Sequence, residues 1–135
     1  MAIFGIGAYW DDKDDMVEAF FEQRCACIGW SREEAPTLYE MLQGVRIGSI
    51  VYLKSFNPNS GLRIKAVGIV DGPIIKTNLS DDSLSVAWIW TGEELIGQVN
   101  DKYSARTCTI YEEHNPNIQA RVVALLLATI ASARV

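Results

Sequence analysis

Aromatic and cationic side chains recur where the apolar runs of this chain end. Tyr9-Trp10 follows the run 3–8, Trp30 closes the run 25–29, and Lys54-Ser55-Phe56 ends a run beginning at Ile50. Rings near an ammonium and a hydroxyl are the parts of a site for a flat, polar ligand. Stacking on such rings contributes about 1–3 kcal/mol per nucleobase, and the polar groups then choose an edge or an anion. Trp10 and Trp30 sit beside polar residues, so a core role and a ligand role both stay open. Trp88 and Trp90, inside an alternating stretch, are expected to fill the core. Other chemistry is thinner. Cys25, Cys27, Cys108 and His114 add up to a zinc set on paper, but no second paired motif anchors one, and strand thiols are usually small buried hydrophobes. His114 lies just ahead of a helix start beside Glu112 and Glu113, where a turn role is expected rather than general-base catalysis. Gly5-x-Gly7 lacks the third glycine of a phosphate loop, and the acidic run 11–15, broken by Lys13, reads as a helix-start cap rather than a cation site. No catalytic residue, metal or cofactor is expected.

The elements that must position these residues follow from periodicity. Residues 3–9 read as a buried strand punctuated by glycine, and Met16, Val17, Phe20 and Phe21 form one stripe of a short helix. Residues 25–30 read as a second strand. Ser31 and Glu34 fit a capping box, and Leu38, Met41, Leu42 and Val45 give the next helical stripe, stopped at Gly44. The period then becomes two: 50–56 and 62–70 form a hairpin around the turn residues 57–61, and 84–90 and 106–112 add two more strands. Asn115-Pro116 opens a final helix over about 117–133, apolar nearly all round from 122 to 131 and expected to pack deeply on the sheet or on a second subunit. The order is β-α-β-α-β-β-β-β-α. It predicts an α+β fold: a curved mixed sheet or small open β-barrel flanked by helices, in a single domain spanning 1–135.

With 135 residues, 49% apolar and 21% charged, the chain is neither disordered nor fibrous. A net charge of −5 argues against broad binding to a nucleic-acid backbone, yet the stretch 46–76 is locally +4 through Arg46, Lys54, Arg63, Lys65 and Lys76 against Asp71. An odd count of cysteines, no basic leader at the start and no apolar run near the length of a bilayer point to a reduced, cytoplasmic protein with no membrane partner.

Three stretches carry a resemblance: Ile28-Gly29-Trp30-Ser31, the segment from Val45 through Gly48-Ser49-Ile50-Val51-Tyr52-Leu53-Lys54-Ser55-Phe56, and Leu62-Arg63-Ile64-Lys65-Ala66-Val67-Gly68-Ile69-Val70. Together they resemble the PUA-like superfamily, in its EVE- and YTH-like branch, with a "G-D-x-V-Y-x-K-S" turn and strand and a strand ending "I-x-G-I-G-x-V". The likeness covers about residues 3–75 and, more weakly, 109–116; Ser49 stands where the family often has Asp. It implies a PUA-like fold whose strand ends gather around a modified or flipped base. By that resemblance Trp30 and Trp10 stack, helped by Tyr9 and Phe56. Ser55 meets a base edge, and Lys54, Arg63 and Lys65 meet phosphate. The implied function is non-catalytic binding of a nucleobase-containing ligand, in modified DNA or RNA or as a nucleoside. Two alternatives stand beside it: a protein-interaction or self-association module using residues 117–133, and a small hydrolase of the PUA-like ASCH type.

Overall fold

The computed structural model describes residues 2–10, 13–100 and 108–133. Its elements in chain order are β1 (Ile3–Gly7), β2 (Tyr9–Trp10), β3 (Asp14–Asp15), α1 (Val17–Gln23), β4 (Cys25–Ala26), α2 (Pro36–Gln43), β5 (Ile50–Asn57), β6 (Gly61–Val70), β7 (Leu84–Gly97), β8 (Ile110–Glu112) and α3 (Pro116–Ala133). Six strands form one mixed sheet in the order β4-β7-β6-β5-β1-β8, curled into a half-barrel with helices against it. The α+β class and the curved sheet flanked by helices expected from sequence are therefore present.

The central pairing places the site. β1 runs parallel to β5, Ile3 opposite Ile50 and Gly7 opposite Lys54, while β5 and β6 form the antiparallel hairpin read from the period of two. The side chains of β1 divide between two cores. Phe4 and Ile6 pack with Phe20, Tyr39, Leu42, Val51 and Leu53, whereas Ile3 packs with Tyr52, Ile64, Val67 and the α3 residues Ile118, Val122 and Leu126. A strand sandwiched between two layers is apolar on both faces, which is why 3–6 shows no alternation.

Several boundaries differ from the sequence reading, each for a local reason. The expected first strand ends at Gly7, and Tyr9-Trp10 turns off to pair with Asp14–Asp15 as a separate two-stranded ribbon. Lys13, Asp14 and Asp15 thus belong to a ribbon before α1, with only Asp15 reaching the helix by accepting the Val17 amide at 3.0 Å; Asp11 and Asp12 lie outside the described residues. The second strand is two residues long, because the chain bends at Gly29 and Trp30. Ser31 and Glu34 do form the reciprocal capping bonds, each 3.1 Å, but they close an isolated turn, and α2 begins beyond it at Pro36 with Ala35 as its cap. β7 continues to Gly97, past the expected end at 90, and of the strand expected over 106–112 the described part is β8. Trp88 and Trp90, although two residues apart, pack on opposite cores: a register shift beside Val67 and Gly68 reverses the alternation between them. α3 is not deeply buried. It rests on the sheet through the buried Ile118, Val122 and Leu126, flanked by the partly buried Val123, Leu125 and Ile130, and leaves Leu127 exposed. Its 18 residues, of mean hydropathy 1.3, are by length and composition enough to cross a membrane.

Candidate ligand-binding site

Because β1 and β5 are parallel, the chain just past the end of β1 and the last residues of β5 meet at the same end of the sheet. β1 delivers Gly7, Ala8, Tyr9 and Trp10; β5 delivers Lys54, Ser55 and Phe56. The bend after β4 adds Gly29 and Trp30, and Thr109, whose carbonyl accepts the Gly7 amide at 2.8 Å, closes the fourth side. These residues surround one open hollow of about 680 Å³, within the range of about 300–1,000 Å³ common for small-molecule sites. Tyr9, Trp10, Trp30, Lys54, Ser55 and Phe56, singled out from sequence, all line it. A smaller hollow of about 450 Å³ at the other end of β1 and β5 is bounded by Phe4, Arg46, Ile47, Ser49 and Glu112 and lacks facing aromatic walls.

The aromatic walls are held differently. Trp30 is 50% exposed yet pinned: its indole N–H donates to Thr109 Oγ1 at 3.1 Å, and its carbonyl accepts the Tyr39 hydroxyl at 2.7 Å. A large ring kept in the open by two hydrogen bonds is placed for contact rather than for core filling. Trp10 is half-buried, with its ring against the backbone of Gly29 and edge-on to Phe20 at 6.0 Å between centroids. A Cβ on Gly29 would meet that indole at 2.6 Å, so only glycine fits there. The Trp10 Nε1 is, among the described residues, the buried side-chain polar atom left without a hydrogen-bond partner. Leaving such a donor unpaired costs about 1–3 kcal/mol. Tyr9 and Phe56 stand exposed at the rim.

Lys54 supplies the charge. Its Nζ lies 5.8 Å from the centre of the Tyr111 ring, and burial lowers its pKa, with the neighbouring Cys108 opposing that shift. It lies over the side of β1 left bare by Gly7, where a Cβ would meet the lysine stem at 3.5 Å. Below it is a buried polar chain. The Tyr52 hydroxyl donates to Glu113 Oε1 at 2.6 Å, so the 2.7 Å contact between the two tyrosine oxygens uses the proton of Tyr111. Glu113, 2% exposed, also accepts the Asn115 amide. Burial first, then the charges of Tyr111 and Glu113, push the Tyr52 hydroxyl upward, and it stays protonated.

Arg63 and Lys65 are not in the lining. Both lie on β6, where each faces Glu93 at 4.0 and 3.9 Å. Cys25 and Cys27 are buried on the β4 side while Cys108 is exposed, and no group of three metal-ligating side chains converges among the described residues. Sequence reasoning missed Gly29, Thr109 and Pro58, which complete the walls. Gly29 had a signal, since glycine before a strand-end Trp can mark a close packing neighbour. Thr109 had none. No protein-family model and no curated protein sequence matches the chain.

Proposed function

We propose that this chain is a PUA-like, EVE-type domain that binds a nucleobase-containing ligand, in nucleic acid or as a modified nucleoside, without transforming it. The observation that carries this reading is the convergence of Trp10, Trp30, Tyr9 and Phe56, from separate segments, around one open hollow with Lys54 and Ser55 in its wall. Rings in the wall can stack on a flat heterocycle, and donors there can pair with its edge. Lys54 and Ser55 supply a cationic donor and a hydroxyl in that wall, the groups a base edge or an anion pairs with. A cytoplasmic setting fits buried reduced thiols.

The test is a titration of modified and unmodified nucleosides followed by tryptophan fluorescence, since Trp30 is exposed within the hollow. Trp30→Ala is expected to weaken binding at least about fivefold, in line with about 1–3 kcal/mol for one stacking ring. A panel in which every nucleoside leaves the fluorescence unchanged, or in which Trp30→Ala binds as well as the parent, overturns the assignment. A second reading, self-association through α3, is favoured by the exposed Leu127 on a helix that buries only one stripe.

A further inference from the structure

Lys54 takes a posture in the hollow that an anion-binding lysine does not need. The β5–β6 register slips between Leu53 and Lys54, and such irregularities re-aim the residues beside them. Gly7, opposite Lys54 in the parallel ladder, has no side chain, and the lysine covers the space this leaves. A Cβ there would lie 3.5 Å from Lys54 Cε and 3.7 Å from Nζ. The amine therefore lies back along the wall of the hollow, half-buried and over the Tyr111 ring, instead of reaching into solvent. The other described lysines are placed differently: Lys65 and Lys76 face Glu93 and Asp81 at 3.9 and 3.7 Å, and Lys13 is exposed. Desolvation disfavours the ammonium of Lys54 and enlarges its share of neutral amine at a given pH. A neutral lysine amine in an apolar pocket is a nucleophile toward carbonyl carbon. An aldehyde carried on a heteroaromatic ring is conjugated and flat, and so is the imine it forms, so both fit against the rings of Trp10 and Trp30. Ser55 and Thr109 bring hydroxyls to the same wall, where they can hydrogen-bond the carbonyl oxygen as it gains a proton.

We propose that Lys54 captures an aldehyde-bearing nucleobase as a reversible imine while the aromatic walls hold its ring. This rests on the base-binding reading above and names the class of modification. The Nζ lone pair adds to the formyl carbon, and the π electrons of the carbonyl move to oxygen. Both protons of the neutral amine then leave with that oxygen as water, and the new C–N bond becomes double. No oxidant or reductant takes part. Hydrolysis reverses the step and returns the ligand unchanged, so the capture is binding rather than turnover.

Sodium cyanoborohydride reduces an imine to a stable secondary amine and does not fix a thiol adduct at Cys108, so reductive labelling with peptide mass mapping tests the proposal. The probes are a uridine with a formyl group on its base, the methyl-substituted uridine without a carbonyl, and propionaldehyde, which has a carbonyl and no ring. Formyluridine is expected to label Lys54 at least about tenfold faster than any other lysine, because the rings hold its aldehyde against the amine. Trp30→Ala should slow that labelling at least about fivefold. Lys54→Arg, its fold checked by circular dichroism, keeps the charge and should lose the label. Labelling spread over the exposed lysines, with Lys54 no faster, overturns the imine; if methyluridine still changes the tryptophan fluorescence in that case, the hollow stands without it. If propionaldehyde labels Lys54 as fast as formyluridine and Trp30→Ala changes nothing, the amine is reactive but the base-binding reading falls, and the proposed ligand class falls with it.

Discussion

At the scale of single residues, the hollow is furnished at some expense to the fold. Burial depresses the pKa of Lys54 below its ordinary 10.5, so the folded chain resists a proton that the unfolded chain takes up. The cost is present in full below the folded pKa and fades as pH rises through the interval up to the unfolded value. Lys54→Met is therefore expected to raise the urea midpoint at pH 7, within the about 0.5–2 kcal/mol that relieving a functional residue commonly returns, and to lose that advantage above about pH 10.5. A midpoint that falls instead would show that the ammonium is a structural asset. The tyrosine pair below behaves oppositely. Tyr52→Phe deprives Glu113 of a donor and Tyr111 of an acceptor, and should cost about 1–3 kcal/mol in the same measurement. Tyr111→Phe leaves the Tyr52 bond to Glu113 intact and should cost less. Sequence showed that Tyr9, Trp10, Trp30 and Lys54 stand at run ends, a consequence of strands finishing where burial finishes. The partners of Tyr52 lie about sixty residues away in the chain, a pairing that no local pattern encodes.

At the scale of elements, periodicity located the long pieces and failed at the short ones. β5, β6 and α3 recur close to their expected ranges because each repeats its apolar spacing over many residues. The ribbon of Tyr9–Trp10 with Asp14–Asp15 has no such repeat; it exists because tertiary contacts hold its ends, including the Met16 amide on the Ala8 carbonyl at 2.6 Å. The depth of α3 falls short of the expected one for a related reason: Ala and Leu on every face look like burial from both sides, yet full burial is confined to the Ile118, Val122 and Leu126 stripe. Two substitutions separate its duties. Leu126→Asp places a charge in the second core and should lower stability by more than about 2 kcal/mol. Leu127→Asp, on the exposed side, should leave the fold alone and, if two copies meet through this helix, reduce the mass found by light scattering to that of one chain. A parent protein already monomeric at high concentration would dismiss that association.

For the molecule as a whole, the thiols report compactness. Cys25 and Cys27 are fully buried and Cys108 is exposed, so one thiol per chain should react rapidly with an aromatic disulfide reagent in native buffer and three after denaturation. Rapid reaction of a second thiol would mean that the β4 edge opens. The pairing of β1 with β5 carries the last consequence. Residues 9–10, 30, 54–56 and 109 reach the hollow from almost the full span of the sequence, and a parallel pair about fifty positions apart must close before they can meet. High contact order of this kind makes for slow folding, and here it makes recognition an all-or-none property of the finished topology. A nascent chain still lacking β8 has most of its cores and only part of a receptor. Ligand capture would therefore draw chains toward the completed state, and recovery of binding after dilution from denaturant should trail the recovery of secondary structure.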